Sequence, residues 1–362
     1  MDNRNSLAGS GKPPAVVVLH GTDRPPGMMP AGKLAQVRYA TGRELAASLP
    51  GADVLFAWDF QSGELAAQWQ HADALRWVHV ASAGVDRLLF PGLAASDVVV
   101  TNSRGVFDEP MAEYVLALVL CFAKDLHTTL RLQRQRRWQH RETERLAGAR
   151  ALVVGTGPIG RAIGRRLASA GMTVTGIGRA GRAGDEDLGD IRPFGQLHQL
   201  LGEADYVVLA APLTSETEGM IGAAALDKMK PTARLINVGR GALVAEADLA
   251  RALSTGRIGG AALDVFADEP LPGDSPLWDM PDVIVSPHMS GDAAGWREAL
   301  VELFISNLRR YRDGAPLLNI VDKHRGYVRS GSGPASGPGS GPGSGPGSGP
   351  GPSGTGGRGE PA

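Results

Sequence analysis

The sequence predicts an α/β protein with two Rossmann-like units, and three observations support this fold class. Residues 15–320 alternate short apolar runs with helical patterns, which is typical of parallel sheets flanked by helices. A glycine-rich segment, residues 155–160, lies between an apolar run and a helical pattern. Three polar residues, Arg240, Glu269 and His288, each follow a late apolar run, at the strand end where open α/β sheets bind their ligands.

The apolar runs predict the strands in chain order. The first four are Val16–Leu19, Val54–Ala57, Trp77–Val80 and Val98–Thr101. The later six are Ala151–Val154, Thr173–Ile177, Tyr206–Ala210, Ala233–Val238, Ala261–Phe266 and Val283–Ser286. A long helical pattern joins the two series from about Glu109 to Arg137, and an amphipathic helix closes the second from Trp296 to Tyr311.

The two series form two domains, one inserted in the other if the closing helix packs back on the N-terminal unit. The nucleotide domain, residues 123–291, then interrupts a flavodoxin-like substrate domain made of residues 15–122 and 292–322, with the active site in the cleft between them. Residues 1–14 and the Gly/Ser/Pro tail, residues 330–362, are expected to be disordered, because the tail has no apolar side chains to bury. The tail could be a linker, a weak contact surface or neither. The sequence assigns no function to the Pro/Met-rich segment His20–Pro30.

Composition limits the possible partners and compartments. The 362-residue chain has 37 Lys and Arg residues against 38 Asp and Glu residues, a balance that gives no general attraction to nucleic acid or membranes. Its longest apolar stretch, Tyr114–Ala123, is too short to span a bilayer, and residues 1–14 lack the apolar core of a secretory signal. With Cys121 as the only cysteine and no ligand spacing among the histidines, we expect no metal site and a cytoplasmic location.

The segment GTGPIG has the context that a dinucleotide-binding turn requires, with a strand before it and a helix after it. Gly155 permits the tight turn, Gly157 lets the backbone approach a pyrophosphate, and Gly160 lets the helix pack closely on the strand. Pro158 suits the first helical turn, where the N–H groups and the positive end of the helix dipole face the phosphates.

The residues after the second strand of this unit favour NADPH over NADH. NAD-specific sites place an acidic residue there to bind the ribose hydroxyls, whereas this chain has Gly178-Arg179-Ala180-Gly181-Arg182. Arg179 and Arg182 can pair with a 2′-phosphate through charge-assisted hydrogen bonds. The alternative is a solvated basic loop without a ligand.

Seven motifs follow one another along the chain: SAGVD, TNSRGVFDEPMAEYVLALVL, GTGPIG, APLTSET, NVGRGALV, ALDVFADEPL and SPHMSG. In this order they resemble the D-isomer-specific 2-hydroxyacid dehydrogenases over about residues 50–320, and Gly178 matches the NADP(H)-using reductases of the glyoxylate/hydroxypyruvate branch. The resemblance implies two Rossmann-like domains, a nicotinamide cofactor, a 2-keto or D-2-hydroxy acid as the small-molecule partner, and usually a homodimer.

The resemblance also implies roles for single residues. Arg240 resembles the arginine that grips the substrate carboxylate, His288 the general acid, and Glu269 the carboxylate that orients the imidazole and favours its protonated form. Glu269 counts against formate as the substrate, because the formate branch has no carboxylate there. The positions matching the substrate-carboxylate loop are Ser82, Ala83 and Gly84. The positions matching the cofactor site are Thr156, Ile159, Pro212, Thr217, Val238, Asp264, Ser290 and Gly291.

These assignments have alternatives. Asp264 could be a turn or cap residue, Glu269 a surface acid, and residues 82–84 a glycine turn without a ligand. The function we expect is an NAD(P)-dependent reductase of 2-keto acids such as glyoxylate or hydroxypyruvate. The alternative function is a dinucleotide-sensing interaction protein that resembles corepressors of the C-terminal-binding-protein type. The Gly/Ser/Pro tail is the one feature of the sequence that favours this alternative.

Overall fold

The structure is a computed structural model that describes residues 12–328. Most of the N-terminal segment 1–14 and all of the tail 330–362, both expected to be disordered, lie outside the described residues. One parallel sheet and one mostly parallel sheet account for thirteen of the fifteen strands in the described range, and a small hairpin for the other two. The predicted α/β fold class is confirmed.

The first sheet has five parallel strands, which are β1 Ala15–Leu19, β2 Gln36–Ala40, β3 Val54–Ala57, β4 Trp77–Val80 and β5 Val99–Thr101. Their order is β2-β1-β3-β4-β5, the flavodoxin-like order. Four short helices follow these strands, α1 Met29–Gly32, α2 Leu45–Ser48, α3 Glu64–Ala67 and α4 Pro91–Ala95.

The second sheet has eight strands, which are β6 Arg150–Val154, β7 Thr173–Gly178, β8 Arg182–Asp185, β9 Gly189–Pro193, β10 Tyr206–Leu209, β11 Arg234–Asn237, β12 Gly260–Leu263 and β13 Val283–Val285. Their order is β13-β12-β11-β10-β6-β7-β9-β8, with only β8 antiparallel to its neighbour. The strand order reverses between β6 and β10, and such a switch point is where ligands bind in open α/β sheets.

The described residues contain seven further helices, which are α5 Asp108–Ala123, α6 Leu126–Arg134, α7 Pro158–Ser169, α8 Leu197–Leu201, α9 Ala223–Leu226, α10 Glu246–Ser254 and α11 Trp296–Arg312. The predicted return of the closing helix is confirmed, because α11 packs on the first sheet. The rings of Phe304 and Phe56 stack with centroids 4.1 Å apart, and Trp77 stacks on Phe304 at 5.5 Å. One unit of the chain is therefore inserted in the other.

Helix α5 connects the two units. Its buried residues, among them Val115 and Val119, share a core cluster with Val153 and Ile163 of the second sheet and α7. The predicted domain division at residues 122 and 123 stays a prediction. None of the helices in residues 12–328 is long and apolar enough to cross a membrane.

The prediction of one continuous helix from Glu109 to Arg137 is wrong. The helix breaks after α5, where Asp125 has a left-handed backbone with φ of 49°, and α6 ends at Arg134. The Arg141 guanidinium donates to both the carboxylate and the carbonyl oxygen of Asp125, which holds this turn. The local pattern contains no glycine or proline that would have predicted the break.

The apolar runs missed three strands of the sheets. Strand β2 alternates exposed and partly buried residues at a sheet edge, β8 is a short, charged strand at the edge of the second sheet, and β9 is the short, charged strand between β7 and β8. The last two strands, β14 Val321–Asp322 and β15 Tyr327–Val328, form an antiparallel hairpin that also lacked a signal. Edge strands bury little apolar surface, so their sequences need no continuous apolar run.

Candidate active site

The sheet brings the three polar residues to one edge. Arg240, Glu269 and His288 follow β11, β12 and β13, which are parallel neighbours, so their carboxyl ends lie side by side. Across the cleft, residues 82–87 follow β4 of the first sheet and contact two of the three. The predicted catalytic residues and the predicted substrate loop therefore meet at one place.

The Arg240 side chain is held by Asp86, which lies on the other side of the cleft. The distances are 3.0 Å from Nη2 to Asp86 Oδ1 and 3.2 Å from Nε to each carboxylate oxygen. Nη1 donates to the Gly239 carbonyl at 2.8 Å. These bonds use three of the five guanidinium N–H groups, which leaves one N–H on each Nη nitrogen for a ligand. Two such donors can form hydrogen bonds with the two oxygens of a carboxylate.

Two glycines near Arg240, Gly84 and Gly241, have no space for a side chain. A Cβ at Gly84 would lie 1.8 Å from Arg240 Nη2, so the guanidinium packs directly on the backbone of the predicted substrate loop. A Cβ at Gly241 would lie 1.9 Å from the carbonyl carbon of Phe266. Gly84 of SAGVD thus lets the loop and the arginine approach each other, and Gly241 of NVGRG lets the segment that carries Arg240 pack on the backbone after β12.

His288 and Glu269 form a hydrogen-bonded pair. The distance from His288 Nδ1 to Glu269 Oε2 is 2.9 Å, and Glu269 Oε1 accepts from the Phe266 N–H at 3.1 Å. Burial alone would raise the pKa of Glu269, but the hydrogen bonds from His288 and Phe266 outweigh it and hold that pKa below its usual value. Glu269 is therefore a carboxylate at neutral pH, and the other ring nitrogen, Nε2, is the one left to face a substrate.

The backbone of His288 is in the left-handed region, with φ of 51°, a conformation that costs a non-glycine residue about 1–3 kcal/mol. The fully buried Asp264 carboxylate holds the turn in this state. It accepts from Ser286 Oγ at 2.7 Å and from the N–H groups of Met289 and Ser290 at 2.9 Å each. Asp264 thus acts as the turn residue that the sequence left open. Its contact with a nicotinamide carboxamide stays a prediction.

Asp86 and Arg87 were missed by the reasoning from the sequence. Asp86 pairs with Arg240, and the next residue, Arg87, has its Nη2 4.0 Å from Glu269 Oε2. Consecutive residues of one loop therefore contact two predicted catalytic residues of the other unit. The signal was present in SAGVD, whose aspartate had no role assigned, but only the paired sheets show its partner.

The turn at residues 155–160 has the shape of a cradle for a phosphate group. A Cβ at Gly155, whose φ is 115°, would lie 2.5 Å from the Ala210 carbonyl oxygen, and one at Gly160 would lie 1.9 Å from the Gly155 oxygen. Nothing lies within 4 Å of a Cβ at Gly157, so that side of the turn is open. Gly157 caps α7, with Pro158 at its first position. The residues present fit a dinucleotide pyrophosphate.

At the end of β7, Gly178 lies against the turn at residues 155–160, and an added Cβ would lie 3.0 Å from the Thr156 side chain, so a larger residue would require Thr156 to shift. The two arginines beyond it differ. Arg182 donates to the Asp185 carboxylate, which also binds Arg161 at 2.9 Å. Burial alone would raise the pKa of Asp185, but these hydrogen bonds lower it to about 2. No carboxylate among residues 12–328 pairs with Arg179, whose guanidinium lies over the Tyr327 ring.

The remaining predicted residues line the same strand ends, and their ligand contacts stay predictions. Ser82 Oγ donates to the Gly84 oxygen, and the Ala83 oxygen accepts from Asn102. Thr217 Oγ1 donates to the Pro212 oxygen, at the loop after β10. Ile159 lies in the turn at residues 155–160 and Val238 directly after β11, while Ser290 is bonded to Asp264 and Gly291 lies against Phe107. Within residues 12–328, no group of three or more His, Cys, Asp or Glu side chains is arranged to hold a metal.

Comparison with known proteins shows what this chain is similar to. The family model for the NAD-binding domain of the D-isomer specific 2-hydroxyacid dehydrogenases matches residues 116–290. A glyoxylate reductase of Korarchaeum cryptofilum is 32% identical over 268 residues, which are 72% of this chain and 80% of that protein. A glyoxylate/hydroxypyruvate reductase B of Pectobacterium carotovorum is 36% identical over 245 residues, 66% of this chain and 76% of its own length.

Two solved structures extend the similarity to the whole fold. A D-isomer specific 2-hydroxyacid dehydrogenase of Xanthobacter autotrophicus, in complex with NADPH and MES, has a TM-score of 0.76 and 33% identity, covering 87% of this chain and all of that one. An NADPH-dependent glyoxylate/hydroxypyruvate reductase of Sinorhizobium meliloti, in complex with NADP and sulfate, has a TM-score of 0.75 and 29% identity, covering 86% of this chain and all of that one.

Proposed function

Because the chain belongs to the D-isomer-specific 2-hydroxyacid dehydrogenase family, we propose that it reduces small 2-keto acids to D-2-hydroxy acids with a nicotinamide cofactor. The observation that carries this proposal is the pairing of His288 with Glu269 beside an Arg240 guanidinium that keeps two N–H groups for a carboxylate. We favour glyoxylate or hydroxypyruvate as the substrate, because the relatives from Korarchaeum, Pectobacterium and Sinorhizobium are reductases of these acids by name.

Arg240 and the loop of residues 82–84 bind and orient the substrate. The two remaining N–H groups of Arg240 grip the carboxylate, while Asp86 keeps the planar guanidinium in one orientation. Because Gly84 lies directly on the guanidinium, backbone N–H groups of the loop can approach the same carboxylate. A fixed cation beside the keto group also stabilises the negative charge that develops on its oxygen.

His288 supplies the proton. Its Nδ1 is bonded to the ionised Glu269, which fixes the orientation of the ring and leaves Nε2 to face the substrate. Nε2 then donates a proton to the keto oxygen, and Glu269 stabilises the charged ring before transfer. When bound, the reduced nicotinamide supplies the hydride for the keto carbon.

NADPH is the cofactor that we propose this chain prefers. Gly178 replaces the acidic residue of NAD-specific sites, and the charge of Arg179 has no carboxylate partner in residues 12–328. Arg182 is already paired with Asp185, so we assign the larger share of 2′-phosphate binding to Arg179. Arg179→Ala should therefore lower the NADPH-to-NADH ratio of kcat/KM more than Arg182→Ala does.

We also propose a homodimer in the cytoplasm. Helix α6 and the segment after it expose large apolar side chains, with Leu126 46%, Leu130 55% and Trp138 fully exposed. Exposed apolar groups clustered on one element favour an interface with another copy of the chain. Sedimentation of wild type and Trp138→Ser would test it, since the substitution should weaken a dimer. The single cysteine, Cys121, is consistent with a reducing compartment.

The first test is the initial rate of NADPH and NADH oxidation with glyoxylate, hydroxypyruvate, pyruvate and phenylpyruvate. We expect turnover with NADPH, and a loss of about 10²–10⁴-fold in kcat for His288→Ala, the range of a general acid. Cofactor binding without turnover of any keto acid would contradict the proposal.

The dinucleotide-sensing alternative is not favoured, because the named relatives are reductases and the site holds an aligned acid and anion-binding arginine. Enzyme-like turnover that persists when residues 330–362 are deleted would argue further against it. Loss of a binding partner on that deletion, without turnover in the full chain, would support it.

A further inference from the structure

The β14–β15 hairpin, residues 321–328, is anchored to the first sheet. Its buried residues Val321 and Val328 share a core cluster with Leu93 and Val100 of that unit. The ammonium group of Lys323 donates to the carbonyl oxygens of Leu93, Ser96 and Val98, around the start of β5. The position of the hairpin is therefore determined by the substrate unit.

One side chain of this hairpin reaches the nucleotide unit. The Arg179 guanidinium carbon lies 4.9 Å from the centre of the Tyr327 ring, a cation–π arrangement between the two units. Arg179 directly follows Gly178, the residue at the position where family members read the ribose, and a Cβ at Gly178 would touch Thr156 of the phosphate turn. The tyrosine thus covers one face of the arginine that we propose binds the 2′-phosphate.

From this arrangement we infer that Tyr327 is a positioning residue for the cofactor's 2′-phosphate, acting through Arg179. This inference rests on the proposed NADPH preference. A free arginine side chain loses considerable conformational entropy when it is fixed on a ligand. Stacking on an aromatic ring orders the guanidinium beforehand, so its N–H groups are directed at the phosphate at a lower entropic cost.

The hydroxyl group allows the role of the ring to be isolated. Tyr327 Oη is buried and has no hydrogen-bond partner within residues 12–328. Tyr327→Phe removes only this unpartnered group and keeps the ring, so it is the matched control for Tyr327→Ala. Because the ring comes from the substrate unit and the arginine from the nucleotide unit, the contact also makes 2′-phosphate recognition depend on how the two units are arranged.

The test combines kinetics and binding for wild type, Tyr327→Ala, Tyr327→Phe, Arg179→Ala and the Arg179→Ala, Tyr327→Ala double variant. Tyr327→Ala should lower the NADPH-to-NADH ratio of kcat/KM about fivefold, mainly through KM for NADPH, and Tyr327→Phe should restore it. The dissociation constant of adenosine 2′,5′-bisphosphate should rise by a similar factor, and the double variant should be no weaker than Arg179→Ala.

Two results would overturn the inference. One is an equal loss of kcat/KM with NADPH and with NADH in Tyr327→Ala, which would indicate that the ring has only a structural role. The other is an unchanged dissociation constant for the bisphosphate in Tyr327→Ala. A failure of the proposed cofactor preference is a different result, because wild type would then use NADH at least as well as NADPH whatever residue occupies position 327.

Discussion

Asp86 and Arg240 form an ion pair across the cleft, with 3.0 Å between Oδ1 and Nη2. They are far apart in the chain and belong to different sheets. The pair occupies one edge of the guanidinium, and the other edge keeps one N–H on each Nη nitrogen. The orientation of the arginine that we propose grips the substrate is thus decided by an acid of the opposite unit.

The first prediction concerns this acid. Asp86→Asn keeps the shape of the side chain but removes the charge that holds Arg240, so kcat/KM for the keto acid should fall about 10–100-fold, as expected for a lost charge-assisted hydrogen bond. Asp205→Asn is the matched control. Asp205 pairs with Lys230 at 2.7 Å between surface residues of the nucleotide unit, so its loss should leave KM for the keto acid unchanged. Equal kinetics for wild type and Asp86→Asn would contradict the assigned role.

A second prediction follows from the contact between Gly84 and Arg240. Gly84→Ala places a methyl group 1.8 Å from Nη2, so the guanidinium must move away from the loop. A displacement of this size at a substrate-positioning group should lower kcat/KM about 100-fold. Gly63→Ala is the control, because nothing lies within 4 Å of its Cβ position and its φ is −83°. The thermal midpoints of both variants would show whether the loss is one of folding or of positioning.

The pair of His288 and Glu269 leads to a third prediction. Glu269→Gln keeps a hydrogen-bond acceptor for Nδ1 but loses the negative charge, so kcat should fall about 100-fold with less effect on KM. The double variant with His288→Ala should be no slower than His288→Ala alone, since Glu269 acts through the imidazole. Additive losses would show that Glu269 has a separate role.

The same pair leads to a fourth prediction, which concerns how activity depends on pH. Because the pKa of Glu269 is held below its ordinary value of 4.5, the carboxylate stays ionised as the pH falls to that value. Loss of activity through protonation of Glu269 should therefore appear only below pH 4.5. The pH profile of kcat/KM for wild type, measured beside its thermal midpoint at each pH, would check this, and a Glu269-dependent decline well above that pH would contradict it.

The fifth prediction concerns His79, which is fully buried in the first sheet. Burial lowers the pKa of His79 from 6.5 to about 3, and its Nδ1 lies 2.7 Å from Thr101 Oγ1. As the pH falls through 6.5, the unfolded chain binds a proton at this position and the folded chain does not. The contribution of neutral His79 to the free energy of unfolding is therefore fully present above pH 6.5 and is lost progressively towards pH 3. Between pH 7 and pH 5 the loss should be about 2 kcal/mol.

Urea unfolding of wild type and His79→Gln at these two pH values would measure the effect. Other titrating groups contribute to both proteins, so the difference between the two pH dependences isolates His79. We expect a smaller loss of stability on acidification for His79→Gln, even if that variant is less stable at pH 7. The same pH dependence in both proteins would show that position 79 does not cause it.

Buried strands and motif residues could be predicted from the sequence for a physical reason. A strand covered on both faces needs a continuous apolar run, and β3 and β4 have the predicted ends because every residue in them is buried. The turn at residues 155–160 was predictable because backbone contacts require glycine at two of its positions: a Cβ at Gly160 would lie 1.9 Å from the Gly155 oxygen, and one at Gly155 would lie 2.5 Å from the Ala210 oxygen.

Elements that depend on distant partners could not be predicted in this way. The break at Asp125 is held by Arg141, and the edge strand β8 carries Asp185, which pairs with Arg161 of α7. Such partners are separated by many residues, so no local period records them. Arg182 is a different case, because its partner Asp185 is only three residues away, but the sequence does not show that the two side chains form an ion pair.

The sequence by itself determined the fold class, the phosphate turn and the three polar residues after β11, β12 and β13, because each of these is encoded in a contiguous segment. Only the tertiary structure decided that Asp86 orients Arg240, that Asp264 holds the turn carrying His288, and that Tyr327 stacks on Arg179. Each of these contacts joins residues far apart along the chain, and their geometry exists only once the sheets are packed.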